Sequence, residues 1–162
     1  MAIRIMLVDD HKMIRDGLRA LISKHKGMEV IGEATDGHKA VQAVGKLRPD
    51  VVVIDIGMPE LNGIEATRQI TALKCAPKVI GLSMHADRRY VAQMLKAGAS
   101  GYVLKDSAFE ELVHAIETAS KGHTFLSPQI VGTVVNEFKR TATGDDGTVF
   151  SCLLYTSPSP RD

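Results

Sequence analysis

Short runs of unbroken apolar residues alternate five times with longer amphipathic stretches. "IRIMLV" (3–8) precedes "HKMIRDGLRALISKH" (11–25), where Met13, Ile14, Leu18, Leu21 and Ile22 share one helical face. "EVIGEA" (29–34) precedes "GHKAVQAVGKLRPD", and "VVVID" (51–55) precedes a turn and "GIEATRQITAL". "KVIGLS" (78–83) leads into "DRRYVAQMLKAG", and "GYVLK" (101–105) into "SAFEELVHAIETASKG". A strand that is apolar throughout has no face to offer to water, so helices must cover both sides of its sheet. The pattern predicts a doubly wound, five-stranded parallel sheet with right-handed crossovers.

In such sheets ligands bind beyond the carboxyl ends of the strands. The first run ends in Asp9-Asp10, the third in Asp55, the fourth in Ser83 and the fifth in Lys105. Each has an ordinary reading when taken singly. Asp9-Asp10 suit a helix N-terminus, Asp55 and Ser83 suit turns or caps, and Lys105 suits solvated surface. Their convergence on one rim is harder to explain that way. Three carboxylates at one rim repel one another, and some would take up protons unless a cation intervened. Oxygen donors with room for water and a phosphoryl group fit magnesium better than zinc, and no Cys/His cluster competes. A hydroxyl and an ammonium beside them could hold phosphoryl oxygens. The rim is suited to phosphorylating a carboxylate.

Composition excludes several other classes. The chain has 162 residues and 44% apolar content, enough for one domain of ordinary size. A formal net charge of +1 supplies no extended basic field for nucleic acid. Cys75 and Cys152 do not make a disulfide framework, which points to a reducing compartment. The N-terminus reaches acids by position 9 without a long apolar segment, so no signal peptide is expected. No apolar stretch approaches the roughly 18 to 20 residues of a bilayer span. The expected location is the cytoplasm.

The residues "VDD" (8–10), "DIGMP" (55–59), "LSMH" (82–85) and "KAGASGYVLKD" (96–106) resemble the signature set of response-regulator receiver domains, specifically those of NarL/FixJ (LuxR-type) two-component transcriptional regulators. The resemblance covers roughly residues 3 to 121. It implies a flavodoxin-like sheet of order 2-1-3-4-5. It also implies that Asp55 is the phosphoacceptor, taking a phosphoryl group from a sensor histidine kinase. Asp10 and Asp55 would ligate magnesium, with Asp9 acting largely through water and the Gly57 backbone carbonyl adding an oxygen. Lys105 would pair with Asp55 or its phosphate, Ser83 would hydrogen-bond a phosphoryl oxygen, and Tyr102 would rotate inward after Ser83 moves. Met58-Pro59 would fix the loop after the third strand, while His11 and His85 read as surface or outer groups rather than ligands. The chain would be a signalling substrate rather than a turnover enzyme, able to form a homodimer on phosphorylation.

Three other readings use the same fold. A magnesium-dependent phosphatase or phosphotransferase would want a second acid two residues after the nucleophile, where this chain has Gly57. A flavin or nucleotide binder would want a glycine-rich loop after the first strand, where "VDDHKMIRDG" presents acids. A silent interaction module would not need the full acid, hydroxyl and lysine set. "GHTFLSPQIVGTVVNEFKR" (122–140) reads as a linker helix starting at Ser127-Pro128, with Ile130, Val131, Val134, Val135 and Phe138 on its apolar side. In the family such a helix leads to a helix-turn-helix domain that contacts promoter DNA. Residues 141–162 are too short for one, and "CLLYTSPSPRD" is similar to sequencing-adapter read-through. The expected division is a receiver at 1–121, a linker helix at 122–140 and a disordered or non-native tail at 141–162, with the output domain absent.

Overall fold

Each apolar run becomes a strand, and the strands lie parallel in one sheet. The computed structural model describes residues 2–57, 62–74, 76–84 and 88–141. Met58-Pro59, Cys75, His85, Cys152 and the tail beyond Thr141 lie outside the described residues, as do the side chains of Val134 and Phe138.

The order along the chain is β1 (Ile3–Val8), α1 (Lys12–Ser23), β2 (Met28–Ala34), α2 (Gly37–Leu47), β3 (Val51–Asp55), α3 (Gly63–Thr71), β4 (Lys78–Ser83), α4 (Arg88–Lys96) and β5 (Gly101–Leu104). A 3-10 turn (Lys105–Ser107) then opens α5 (Ala108–Ser120), followed by β6 (Phe125–Leu126) and α6 (Pro128–Thr141). The sheet runs β2-β1-β3-β4-β5-β6, so the doubly wound parallel arrangement stands but the expected five strands are six. β6 has only two residues, too few for any periodicity to show. It forms because β5 has a free edge: Phe125 N–H donates to Ser100 O at 3.0 Å and Ser127 N–H to Tyr102 O at 3.1 Å.

The pleat explains why the runs are apolar throughout. Met6, Val8, Val52, Ile54, Val79 and Tyr102 face the layer made by α2, α3, α4 and the start of α6. Ile5, Leu7, Val53, Ile80, Leu82 and Val103 face α1 and α5. Successive residues point to opposite faces, and each face is buried. At about 1.5 to 3 kcal/mol for each fully buried aliphatic side chain, this two-sided burial is the main term holding the sheet together.

Beyond β6 the chain is fastened rather than loosely attached. Ser127 is fully buried; its Oγ donates to Glu111 Oε1 at 2.5 Å and accepts from Leu104 N–H at 3.2 Å. Ile130, on the first turn of α6, is 0% exposed within the same core as α4.

Register places the functional rim. Val8 pairs with Ile54, Asp55 with Leu82, and Ser83 with Leu104. The residues at or just past these partners, Asp9, Asp55, Ser83 and Lys105, therefore emerge at one level. The turn after β3 needs its glycine: a Cβ on Gly63 would lie 2.5 Å from Ile56 Cα and against the Asp55 carbonyl, both rigid backbone. Gly63→Ala is expected to lower stability by about 1 to 3 kcal/mol, the usual range for overpacking, as read from the urea midpoint.

Candidate functional site

β1 stops where its pleat turns from core to rim. Asp9 N–H still donates to Ala34 O of β2 at 3.1 Å, but its side chain folds back onto the next turn. Asp9 Oδ1 accepts from His11 N–H at 2.8 Å, with the His11 ring Nδ1 at 3.0 Å. Such a turn is what an Asp at a strand end forms readily. Asp55 repeats the device at the end of β3, its Oδ1 accepting from Gly57 N–H at 2.9 Å.

Each acid thus commits one oxygen to its own loop and turns the other toward Lys105. The Lys105 ammonium lies 3.0 Å from Asp55 Oδ2 and 3.4 Å from Asp9 Oδ2. Asp9 is 1% and Asp55 4% exposed. Asp9 Oδ2 has no hydrogen-bond partner and feels the ammonium as a charge only. Burial pushes the Asp9 carboxyl above the ordinary range and the Asp55 charge adds to this, against the His11 hydrogen bonds and Lys105. Burial alone would pull Lys105 down, but the hydrogen bond and charge of Asp55, joined by Asp9, outweigh it and hold the ammonium above its ordinary value. One cation between two acids leaves the centre short of positive charge.

Asp10 is the outward member of the acidic pair, and its Oδ1 lies 3.1 Å from His11 Nδ1. Donor atoms of Asp9, Asp10, His11 and Asp55 all lie within 4.8 Å of one another. His11, expected as a surface or outer group rather than a ligand, lays its ring across both acids. Beside this cluster a cleft of about 540 Å³ is lined by Asp55, Gly57, Asn62, Ser83, Met84 and Lys105, among others. Ser83 is 3% exposed at its base, one strand over from Asp55.

Tyr102 is not on the rim. Its ring is 0% exposed within the core shared with α4 and Ile130, one strand from Gly81. Arg15 and Glu33, unread in the sequence, brace the acidic loop from outside: Arg15 Nη1 donates to Asp9 O at 2.6 Å and Nε to Glu33 Oε1 at 2.8 Å. A second hollow lies at the opposite ends of the strands near Arg48, Asp50 and Lys78, and among the described residues no acidic cluster lines it. Among the described residues no helix is long and apolar enough to cross a membrane.

The chain is similar to several known proteins. The family model for the response regulator receiver domain matches residues 5–117. The transcriptional regulatory protein LiaR of Bacillus subtilis is 40% identical over 139 residues, covering 86% of this chain and 66% of that protein. The transcriptional regulatory protein DegU of Brevibacillus brevis is 36% identical over 144 residues, covering 89% of this chain and 61% of its own length. The chain therefore spans 61% to 66% of the length of these relatives. Among solved structures, a LuxR-family two-component response regulator from Aurantimonas sp. SI85-9A1 superposes with a TM-score of 0.81 at 40% identity, over 85% of this chain and 98% of that one. The receiver domain of the putative response regulator NarL from Mycobacterium tuberculosis gives 0.72 at 32% identity, over 75% of this chain and 98% of its own. With two thirds of its residues under the family model, and with its relatives and its rim agreeing, the chain belongs to the response regulator receiver domain family, in the LuxR/NarL group of two-component transcriptional regulators.

Proposed function

We propose that Asp55 accepts a phosphoryl group from the phosphohistidine of a sensor histidine kinase. The observation that carries this is the pair of buried carboxylates, Asp9 and Asp55, each aiming one oxygen at the Lys105 ammonium. The phosphorus–nitrogen bond of the donor breaks as a bond to an Asp55 oxygen forms, and the histidine leaves neutral once it has its proton. Lys105 stays beside Asp55 and neutralises charge on the transferring oxygens, while Ser83, across the cleft, donates its hydroxyl to one of them. Positioning and electrostatics carry the step.

The donor set fits magnesium. Asp9 Oδ2 is a buried oxygen without a hydrogen-bond partner, the other donors are mostly hard oxygens, and exposed Asp10 leaves room for water. Asp10 and Asp55 would hold the ion directly, Asp9 largely through water, and the Gly57 carbonyl would complete the set. When bound, the ion supplies positive charge against the transferring phosphoryl group.

The domain is a signalling substrate that promotes its own phosphorylation and dephosphorylation. Gly57 offers no acid two residues beyond Asp55, where an independent phosphatase would need one. Phosphate on Asp55 would draw Ser83 and shift β4 and β5 between two packings, a population change of a few kcal/mol. Tyr102, on the strand beside Ser83, would follow that movement by rotating inward. Downstream, we place a linker helix within 122–140. The phosphorylated form would pair as a homodimer, and promoter DNA would be met by a helix-turn-helix domain outside this chain. Incubation with magnesium and acetyl phosphate, followed by intact mass and peptide mapping, tests the assignment: one added phosphoryl group on Asp55 is expected, and none, or one elsewhere, overturns it.

A further inference from the structure

The main chain of Asp9 is tied to the end of β2 at both its N–H and its carbonyl, and the carbonyl begins the Asp9–Asp10 peptide. On one side Asp9 N–H donates to Ala34 O at 3.1 Å. On the other, Asp9 O accepts from Arg15 Nη1 at 2.6 Å, and Arg15 Nε donates to Glu33 Oε1 at 2.8 Å, one residue before Ala34. The Arg15 side chain is 12% exposed. Arg19 Nε closes the other Glu33 oxygen at 2.7 Å without reaching Asp9. Burial would raise the Glu33 carboxyl, but the two guanidinium groups prevail and hold it below the usual range, as a carboxylate locked in ion pairs should be.

The orientation of this one peptide plane sets both acids. The Asp9 side chain leaves from before the carbonyl and Asp10 follows directly after it, so rotating the plane would swing Asp10 away from Asp9 and Asp55. A planar guanidinium can donate to a carbonyl and a carboxylate at once in fixed geometry; a lysine ammonium has no such fork. We infer that Arg15 is a positioning residue, its guanidinium bridging Glu33 and the Asp9 carbonyl so that the Asp9 and Asp10 carboxylates are held ready for a divalent cation. This rests on the magnesium reading of the site given above.

The sign of the effect separates positioning from simple charge. Arg15 is a cation near a cation site, so deleting it should tighten magnesium binding if only charge mattered. Positioning requires the opposite. The test is direct magnesium titration of the full chain without phosphodonor, followed by calorimetry and by backbone amide shifts. Arg15→Ala is expected to weaken magnesium binding by about 10-fold, the lower end of outer-shell effects on metal affinity. Arg15→Lys, which keeps the charge, is expected to weaken it as well, and Glu33→Gln to do so more mildly; these two carry the test should the alanine variant fail to fold. Arg19→Ala loosens the same Glu33 from its solvent side, lowers the melting temperature, and should leave magnesium affinity within about 2-fold of wild type. At saturating magnesium the acetyl phosphate labelling rate of the Arg15 variants should return to that of wild type. Unchanged or tighter magnesium binding in Arg15→Ala and Arg15→Lys overturns the inference. If the unaltered chain itself binds no magnesium, the failure lies in the site reading instead.

Discussion

Asp55→Asn is expected to abolish phosphoryl labelling while leaving the fold in place. The amide keeps an oxygen where Asp55 Oδ1 accepts from Gly57 N–H, so the turn after β3 survives. What is lost is the nucleophile: a neutral amide oxygen cannot attack phosphorus as a carboxylate does, and no acyl phosphate can form on it. A fall in labelling rate of at least roughly three orders of magnitude, about 4 kcal/mol in barrier, is the expected result with acetyl phosphate. The substitution also removes one of two like charges that face each other across Lys105. The variant should therefore unfold at no lower a urea concentration than wild type. Labelling that persists would mean that another side chain receives the phosphate.

Lys105→Met carries the largest expected effect on stability. Its methionine conserves much of the volume but leaves Asp9 and Asp55, 1% and 4% exposed, without their cation. Removing one partner from a buried ionic group costs about 3 to 5 kcal/mol, and the lower figure suits a lysine that is 11% exposed. The pH dependence has a definite sign. Asp9 has a folded value above its ordinary one, so its contribution to stability is full below the ordinary carboxyl range and is lost as pH rises through the folded value. Lys105 is also raised, so its stabilisation is full below the ordinary lysine value and lost only as pH rises through the higher folded one. At neutral pH the lysine thus offsets the ionised acids, and the variant lacks that offset. Urea titrations should show the gap to wild type widest near neutrality and shrinking as pH falls through the raised folded value of Asp9. Magnesium should restore more stability to Lys105→Met than to wild type. A gap independent of pH would show that the lysine stem, not its charge, matters.

Sequence reading reached the core strands because burial on both faces writes them as unbroken apolar runs, most clearly in "VVVID". It reached the rim for a related reason: a charged residue directly after such a run can only emerge at the sheet's edge. Asp9, Asp55, Ser83 and Lys105 followed from that logic, although Lys105 begins the 3-10 turn rather than ending β5. What the runs could not show were relationships across elements. Nothing local says that Asp9 points inward and Asp10 outward, or that Arg15 crosses eighteen residues to meet Glu33. The sequence leaves His11 between surface and outer group, because its contacts with the two acids exist only once both are in place. Two-residue β6 was hidden in "TFLSP", where pairing depends on the open flank of β5 and not on any pattern of its own.

That short strand has a practical bearing on where this molecule can be divided. Severing the chain after α5 would discard Phe125 and Leu126 from the edge of β5 and take away the Ser127 hydroxyl that Leu104 N–H and Glu111 use, one residue from the lysine at the phosphoryl site. The exposed flank would be an invitation for a second molecule to add a strand of its own. The smallest piece that keeps the flank of β5 covered reaches into the first turn of α6, where Ile130 joins the core.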